Sequence, residues 1–431
     1  MSLDTTATGK THMTDVTQAV HHHADQARNA SRVLARADRD WKDLALRRIA
    51  ERLDSNRAAI LAANAKDLEA GRNNGTSDAL LDRLKLTDDR IDGLIAALHE
   101  LAGLPDPVGG FVRGETLPNG LRMRQISVPM GVVGAIYEAR PNVTVDIAGL
   151  ALKSGNAALL RGGSAALNSN QTLIAIIRDA LESVSLPRDA VISMDEYGRE
   201  GAAAMMEARG KIDVLIPRGG RELIQRVVTT ARVPVIETGE GNVHIFLDES
   251  ADTEMAVDIL LNAKTQRLSV CNTVETLLID AKAQAGYAVL EALHNAGVRL
   301  HVDPRAAELA GSLPTLEAGE EDWANEYLDS DIAVKVVDGI DEAMEHIRRY
   351  STGHTEAIIT NNLARSERFI AEVDSAAVIV NASTRFTDGS QLGLGAEVGI
   401  STQKMHARGP MGLKELTTTK WIVQGDGHVR K

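Results

Sequence analysis

Cysteine and aromatic residues are scarce in this sequence, and both shortages exclude classes of protein. Cys271 is the single cysteine among 431 residues, so no intrachain disulfide can form. Aromatic residues make up 3% and the net charge is -13, which argues against nucleic acid or an anionic membrane as the main partner. The sequence also lacks an apolar run of about eighteen residues and an apolar signal segment at its start. We therefore expect a cytoplasmic protein without a transmembrane helix.

Several cofactor motifs are missing as well. The sequence contains neither HExxH nor CxxC, so no metal site is expected. It has no GxGxxG fingerprint of the ordinary Rossmann domain. It also has no Walker A loop and no spare domain, so a fused kinase activity is not expected.

The pattern that is present changes near residue 125. Residues 15 to 103 carry apolar side chains at helical spacing. After residue 125, short apolar strands such as AALLRGG, DVLIPRGG and VPVIETG alternate with amphipathic helices, and the pattern restarts after Gly241. This order predicts an α/β fold of parallel, doubly wound sheets that are covered by helices on both faces.

Three further segments carry predictions about connections. The Asn119-Gly120 pair between short β-prone runs is typical of a hairpin, which is either a plain surface feature or an oligomer contact. The acidic segment 311 to 331 is expected to be a connecting loop. The strand-like TTTKWIVQ near the C-terminus has no obvious local partner, so we expect it to return to another domain or subunit.

Cys271 lies in KTQRLSVCNTVETLLI, between a helical segment that ends near Arg267 and a β-rich run. Taken alone, it is a buried small hydrophobe, a metal ligand or a nucleophile. A junction between two elements exposes side chains, and the positive charges of Lys264 and Arg267 favour a thiolate. These features favour catalysis and leave inert packing as the alternative.

Glycines and charged residues follow three of the predicted strands. In doubly wound sheets, ligands bind beyond the carboxyl ends of the strands, where glycine amides and helix N-termini suit phosphates. Glycines after strands are also ordinary turn residues, and a lone carboxylate there is commonly a turn or cap residue. The repetition nonetheless indicates a nucleotide site. The residues concerned are Arg161, Gly162, Gly163 and Ser164 in LLRGGS, Arg218, Gly219 and Gly220 in IPRGG, and Glu237 in IETGEG.

Four segments together carry a resemblance to a known family, namely YEARPNVTVDIAGLALKSGNAALLRGG, KTQRLSVCNTVETLL, VDGIDEAMEHIRRYSTGHTEAI and GPMGLKELTTTKW. From about residue 15 to the C-terminus, the chain resembles the aldehyde dehydrogenase superfamily. Within it, the chain is similar to the reductases that act on L-glutamate 5-phosphate in proline biosynthesis. The resemblance implies an aldehyde dehydrogenase-like α/β fold with two doubly wound domains and a small β oligomerisation arm.

The resemblance also implies boundaries for these parts. The cofactor-binding domain would combine N-terminal helices with a dinucleotide-binding α/β domain, and a catalytic α/β domain would hold Cys271. A hairpin and a C-terminal return strand would serve oligomerisation. The expected ranges are 1–107 for the helices, 108–125 for the hairpin, 126–240 for the dinucleotide-binding domain, 241–395 for the catalytic domain and 396–431 for the return.

Catalytic roles follow from the resemblance residue by residue. Cys271 would be the nucleophile, and Asn142 of RPNVT would be the amide that binds the oxyanion. Glu237, 34 positions before the cysteine, would be the superfamily's glutamate. Arg140 and Lys153 are candidate cations for the substrate, and each equally fits a structural ion pair.

Cofactor roles follow in the same way. The superfamily's lysine that contacts the adenosine ribose falls on Arg161, and Ser164 stands where many NAD-preferring members carry a glutamate. The loss of that anion implies NADP as the cofactor. Arg218 and the two glycines after it are further candidates for this site, and Glu326 would hold the nicotinamide ribose.

The implied reaction is the NADPH-dependent reduction of L-glutamate 5-phosphate through a Cys271 thioester, giving L-glutamate 5-semialdehyde and phosphate. Because no water takes part, Glu237 would have less to do than in hydrolytic members. The implied partners are further copies of the chain, in a homo-oligomer, and a glutamate 5-kinase that supplies the substrate. Two alternatives stay open: another NAD(P)-dependent semialdehyde dehydrogenase of the superfamily, and a non-catalytic protein on this fold.

Overall fold

The computed structural model describes residues 5–430, with side chains described at 15–77 and 80–430. The chain divides into two compact units. The first unit holds the residues up to Glu237, the segment Leu394–Gly399 and the residues from Met411 onward. The second unit holds Thr238–Gly393 and Ile400–Pro410. The second unit is therefore inserted into the sequence of the first.

The first unit begins with helices and continues with alternating strands and helices. Its helices are α1 (Thr5–Leu34), α2 (Arg39–Ser55), α3 (Arg57–Asn73), α4 (Asp78–Leu84), α5 (Asp88–Gly103), α6 (Pro141–Lys153), α7 (Leu167–Ser183), α8 (Gly198–Glu207) and α9 (Arg221–Thr230). The strands that precede the second unit are β1 (Phe111–Thr116), β2 (Arg122–Pro129), β3 (Val132–Tyr137), β4 (Ala157–Arg161), β5 (Val191–Ser193) and β6 (Val214–Arg218).

The second unit continues the alternation, and the last strands follow it. The helices are α10 (Thr253–Thr265), α11 (Gly286–Asn295), α12 (Pro304–Ala310), α13 (Glu320–Trp323), α14 (Ile340–Tyr350) and α15 (Leu363–Glu372). The strands are β7 (Val243–Leu247), β8 (Val274–Asp280), β9 (Arg299–Val302), β10 (Leu316–Glu317), β11 (Asp331–Val337), β12 (Thr355–Ile359), β13 (Ala377–Val380), β14 (Gly399–Ser401), β15 (Gly409–Met411) and β16 (Thr417–Gln424). Single 3-10 turns lie at Ser164–Ala166, Arg188–Ala190, Asp195–Tyr197 and Thr384–Phe386.

A parallel sheet of four strands, in the order β5-β4-β3-β6, forms the centre of the first unit. β3 and β4 are buried along their whole length, which explains why VVGAIY and AALLR are apolar without alternation. The prediction of a strand at VPVIETG is wrong, because only Val235 of this segment forms a β-bridge, to Leu215 of β6. Pro234 has no N–H to donate to a ladder, which limits pairing at this edge.

The second unit is built on a parallel sheet of seven strands, in the order β10-β9-β11-β8-β7-β12-β13. β7 and β8 lie at the centre of this sheet, and the later strands of the unit flank them on both sides, as expected for a doubly wound sheet. The segment 311 to 331, expected to be only a loop, contains β10 and α13. β10 pairs with β9 from Leu316 to His301, and Asp322 of α13 accepts a hydrogen bond from the Gly319 N–H at 2.7 Å. These contacts order a stretch whose composition is polar.

A separate antiparallel sheet, β1-β2-β16, belongs to the first unit. The hairpin predicted at Asn119-Gly120 joins β1 to β2, and Gly120 supplies the positive φ of 90° that this turn needs. TTTKWIVQ is β16 and pairs with β2 along eight residues, from Thr417 opposite Pro129 to Gln424 opposite Arg122. Among the described residues, no helix has the length and apolar character required to cross a membrane.

Candidate active site

Cys271 lies in the loop between α10 and β8, and its side chain is half-buried. Its neighbour Asn272 is buried and fixes this loop to the 384–387 segment. The Asn272 Nδ2 donates to the Thr387 carbonyl at 2.9 Å, and the Thr384 hydroxyl donates to the Asn272 carbonyl at 2.7 Å. The thiol therefore stands on a loop that two hydrogen bonds hold in one position, as a nucleophile requires.

Gly241 packs directly against the backbone of this cysteine. A Cβ atom built on Gly241 would lie 1.5 Å from the Cys271 carbonyl oxygen, so no larger residue fits without a backbone shift. The Gly241 N–H donates to the Glu326 Oε1 at 2.9 Å. Gly241 thus contacts both the Cys271 backbone and the Glu326 carboxylate.

A buried ion pair encloses the cysteine loop. Lys264, in the last turn of α10, donates from Nζ to Oε2 of Glu275 in β8 at 2.7 Å, and both side chains have 0% exposure. Burial raises the pKa of Glu275 and lowers the pKa of Lys264, while the opposite charge of each partner opposes those shifts. The second Glu275 oxygen accepts from the Leu328 N–H at 3.3 Å. Lys264 is therefore committed to this pair.

Asn142 lies on the first turn of α6, in the first unit, and is exposed. Its Nδ2 donates to Oδ2 of Asp146, one helical turn later, at 3.1 Å. Burial raises the pKa of Asp146 to about 6, against the hydrogen bond from Asn142 and the charge of Arg218. Asn142 and Arg218, which the sequence analysis predicted, thus both act on Asp146, which it did not single out.

The turn that leads into α6 is strained. Ala139 has φ of 42°, in the left-handed region that residues other than glycine rarely adopt. Arg140 is the half-buried N-cap residue of α6, and Pro141 follows at its first position. Backbone strain of this kind collects at functional sites, where the surroundings hold it in place.

Arg161 ends β4 and is 9% exposed. Its Nε donates to the Gly198 carbonyl at 3.1 Å. Burial lowers the pKa of Arg161 and the charge of Arg199 adds to this effect, whereas Asp195 and Glu138 oppose it. Two guanidinium groups, at a strand end and at the start of α8, thus lie near two carboxylates at this end of the sheet.

The first glycine after Arg161 and the first after Arg218 each meet a side chain at close range. A Cβ on Gly162 would lie 2.0 Å from the Asn170 amide nitrogen, and the Gly162 N–H donates to Asp195 at 2.5 Å. A Cβ on Gly219 would lie 2.7 Å from a Glu138 oxygen, which also accepts from the Gly220 N–H at 3.5 Å. Packing therefore disfavours a side chain at Gly162 and Gly219, whereas a Cβ on Gly220 would meet nothing within 4 Å. Gly163 is half-buried, and Ser164 is exposed before α7.

Lys153 and Glu237 lie in different settings. Lys153 is fully buried at the end of α6, where its Nζ is paired with Asp43 and donates to the Ala102 carbonyl at 3.1 Å. The sequence allowed Lys153 to be either a cation for the substrate or a member of a structural ion pair, and this geometry is that of a structural ion pair. Glu237 is half-buried and is the last residue of the first unit before Thr238.

Sequence reasoning missed the groups that support the predicted residues. Asp146 follows Asn142 by four positions, so helical spacing alone could have indicated their contact. Gly241 is the last residue of IETGEG, but no local pattern indicates that it packs on Cys271. The 384–387 loop is more distant still, since Thr384 bonds to Asn272 across a sequence separation of 112.

A half-buried cysteine on a fixed loop of one α/β unit, in a chain whose other α/β unit carries arginines at its strand ends, is typical of a thiol-dependent dehydrogenase. A sequence model of the aldehyde dehydrogenase family matches residues 5–333. A gamma-glutamyl phosphate reductase of Kineococcus radiotolerans is 57% identical over 97% of this chain and 98% of its own length. The reductase of the same name from Thermobifida fusca is 56% identical over 97% of this chain and 100% of its own length.

Solved structures agree with these relatives. The crystal structure of gamma-glutamyl phosphate reductase from Thermotoga maritima superposes with a TM-score of 0.92, at 48% identity over 96% of this chain and 100% of that one. An acetylating aldehyde dehydrogenase from Geobacillus thermoglucosidasius, at 18% identity and a TM-score of 0.71 over 97% of this chain and 99% of that one, shares the fold. The chain therefore belongs to the aldehyde dehydrogenase family and, within it, to the gamma-glutamyl phosphate reductases. It is an oxidoreductase acting on aldehyde groups, in a family that uses nicotinamide cofactors. The resemblance and the fold class expected from the sequence are confirmed.

Proposed function

We propose that this chain reduces L-glutamate 5-phosphate to L-glutamate 5-semialdehyde and phosphate, as a step of proline biosynthesis in the cytoplasm. The observation that carries the proposal is the loop of Cys271, which Asn272 and Gly241 hold in place with the thiol half-buried. Relatives that are more than half identical over nearly the whole chain carry the name of this reductase.

Cys271 is the nucleophile of the proposed mechanism. Its thiolate attacks the carbonyl carbon of the acyl phosphate, a C–S bond forms, and the bond from that carbon to the phosphate oxygen breaks. Phosphate leaves with the electron pair of that bond. The Asn142 amide donates a hydrogen bond to the oxyanion of the tetrahedral intermediate. Asp146, which accepts from the same amide, orients it.

NADP is the cofactor of this proposal, and the strand ends of the first unit fit it. Arg161 ends β4 and Arg199 lies at the start of α8; this pair of cations suits a 2′-phosphate, and Ser164 adds no negative charge. Arg218 and the glycines after it border the same edge of the sheet, where β3 and β6 end. When bound, the reduced nicotinamide would supply a hydride to the thioester carbon; the C–S bond then breaks, the aldehyde is released and Cys271 returns to its thiolate.

Two further residues have assigned roles in the proposal. Glu326 accepts from the Gly241 N–H, and its carboxylate holds the nicotinamide ribose. Arg140, at the start of α6, contributes a cation for the substrate phosphate. Glu237 has no water to activate in this reaction, because phosphate and hydride complete it. Lys153 is left out, because its ammonium is paired with Asp43.

A homo-oligomer is the proposed assembly, and the β1-β2-β16 sheet is its contact surface. Phe111 is 70% exposed, Val423 57% and Trp421 44%, on a sheet whose outer strand β1 offers an unpaired edge. Phe111→Ser combined with Val423→Ser should shift the mass measured by light scattering towards the monomer. An unchanged mass would place the contact elsewhere. A glutamate 5-kinase is the class of enzyme that supplies the acyl phosphate.

The reverse reaction tests the proposed activity. L-Glutamate 5-semialdehyde, in equilibrium with its cyclic form, is supplied with NADP, and NADPH absorbance is followed with and without phosphate. NADPH formation that depends on phosphate supports an acyl-phosphate reductase. Equal formation without phosphate would mean that water resolves the thioester, and the chain would then be a hydrolytic semialdehyde dehydrogenase with Glu237 as its base.

A further inference from the structure

A cavity of about 280 Å³ lies in the second unit, between the end of α10 and the 385–391 segment. A site of this size suits a small metabolite rather than a large ligand. Its walls carry polar and charged side chains along with one exposed aromatic ring. The lining residues are Asn262, Gln266, Arg385, Phe386, Asp388 and Ser390, together with the neighbouring Gln391.

Arg385 is half-buried in this cavity and is poorly satisfied. Its Nε donates to the Gln266 Oε1 at 2.9 Å. Within the described side chains, its guanidinium forms no ion pair, which leaves the Nη donors available. Burial lowers its pKa, and the like charge of Arg267 adds to that effect. A half-buried guanidinium beside another cation is a site that an anion would stabilise.

Asp388 supplies the opposite charge on the same wall. One of its oxygens, Oδ1, accepts from the Ser390 N–H at 3.0 Å and from the Ser390 hydroxyl at 2.6 Å. These bonds fix the carboxylate. Its charge acts on Arg385, yet the two side chains do not form an ion pair. The cavity therefore presents a separated cation and anion, which complements a zwitterion better than a simple anion.

The cavity is tied to the nucleophile. Asn272, next to Cys271, donates from Nδ2 to the Thr387 carbonyl, between Arg385 and Asp388. The charge of Cys271 also acts on the Arg385 guanidinium. The α10 end that carries Gln266 leads directly into the cysteine loop. A ligand in this cavity would thus contact the segment to which Asn272 ties the cysteine loop.

We infer that this cavity holds the amino-acid end of the substrate, with Arg385 binding the α-carboxylate and Asp388 binding the α-ammonium. The inference rests on the proposed function and names the groups that select an amino-acid aldehyde. The reacting carbon at the other end of the substrate then extends towards Cys271. Arg385 and Asp388 are specificity residues, and the chemistry itself remains with the cysteine.

Three aldehydes of one length separate the two contacts. L-Glutamate 5-semialdehyde carries both charges, 5-oxopentanoate lacks the amino group, and pentanal lacks both groups. Each is oxidised with NADP and phosphate by the wild type and by Arg385→Gln, Arg385→Lys, Asp388→Asn and Arg349→Gln. Arg349 is an exposed arginine of the same unit, paired with Glu320, and serves as the matched control.

The expected pattern follows from the charges. Arg385→Gln should raise KM about 10- to 100-fold for the semialdehyde and for 5-oxopentanoate, with Arg385→Lys recovering part of the loss. Asp388→Asn should raise KM about 10-fold for the semialdehyde alone. Turnover of pentanal should stay within about 2-fold of wild type in every variant, which also shows that the variants are folded.

Other patterns would overturn the inference. If Arg385→Gln raises the KM for phosphate and slows all three aldehydes equally, Arg385 binds the leaving phosphate. If Arg385→Gln and Asp388→Asn both leave the KM of the semialdehyde unchanged while pentanal turnover persists, the cavity binds neither the α-carboxylate nor the α-ammonium of the substrate. Failure of the wild type to form NADPH from any aldehyde would instead reject the proposed function.

Discussion

Lys264 and Glu275 form an ion pair across the loop of Cys271, with 2.7 Å between Nζ and Oε2 and no exposure of either side chain. One partner ends α10 and the other belongs to β8. The proximity of Lys264 to the cysteine in sequence suggested a cation that activates the thiol. In the structure, Lys264 is paired with Glu275 instead, so the ion pair connects the end of α10 to β8 on either side of the cysteine loop.

Breaking this pair should destabilise the protein strongly. Lys264→Met leaves Glu275 buried without its partner, which should lower the free energy of unfolding by about 3–5 kcal/mol in a urea titration. Replacing both residues, as Lys264→Met with Glu275→Leu, should recover most of the loss. Arg348→Met removes an exposed pair with Glu345 and should change little. A stable Lys264→Met protein would show that the pair is dispensable.

Removing the thiol should abolish turnover and leave nucleotide binding intact. Cys271→Ser should lower kcat by on the order of 10³-fold or more, because an alcohol is a much weaker nucleophile than a thiolate. The dissociation constant of NADPH, measured by fluorescence titration, should stay within about 2-fold of wild type. Activity equal to wild type would reject Cys271 as the nucleophile.

The contact between Asn142 and Asp146 should matter for kcat rather than for binding. Asn142→Ala should lower kcat about 10²-fold, the usual effect of removing one oxyanion donor. Asp146→Ala should have a smaller effect in the same direction, because it frees the amide, and Asp146→Asn should recover part of it. A change confined to KM in either alanine variant would contradict the assignment.

Gly241 should tolerate no side chain. Gly241→Ala places a Cβ 1.5 Å from the Cys271 carbonyl oxygen, so the loop must shift, and kcat should fall at least about 10²-fold. Gly93 in α5 has nothing within 4 Å of such a Cβ, and Gly93→Ala should stabilise the helix by about 0.5–1 kcal/mol. An active Gly241→Ala enzyme would mean that the loop adapts freely.

Acid should destabilise the protein partly through His346. Burial lowers its pKa from 6.5 to about 3, with further contributions from the charges of His244, Lys335 and Arg349. Between these two pH values, His346 binds a proton in the unfolded chain but not in the folded chain. The free energy of unfolding therefore falls as the pH drops from about 6.5 towards about 3. His346→Phe should flatten this slope by up to about 1.4 kcal/mol per pH unit. The exposed His99→Gln is the control, and equal slopes for both variants would refute the assignment.

The sequence predicts the fold well wherever a local rule governs it. Apolar strands followed by glycine and arginine predicted the strand ends at Arg161 and Arg218, and the Asn119-Gly120 pair predicted a hairpin. VPVI was misread because its apolar run suggested a strand while Pro234 limits pairing to one bridge. The partners of β16 were not predictable, because β2 lies nearly three hundred residues earlier and no local rule connects them.

The site shows the same division. Cys271, Asn142 and Glu326 could be proposed from family resemblance, and the structure adds the contacts that hold each one. Asp146 was accessible through helical spacing. Arg385 was not, because its relation to Gln266 depends on how two elements 119 residues apart come together. Side-chain pairs of that kind are set by tertiary packing, which a single sequence does not encode in any local pattern.

β2 lies between a strand that precedes it by a short turn and a strand that follows the whole second unit. During synthesis, β1 and β2 therefore emerge early, while the other edge of β2 waits until Gln424 has left the ribosome. For that interval, an open edge with apolar neighbours such as Phe111 is exposed to other nascent chains. Closure of this sheet therefore follows synthesis of the entire second unit, because β16 lies after that unit in the sequence.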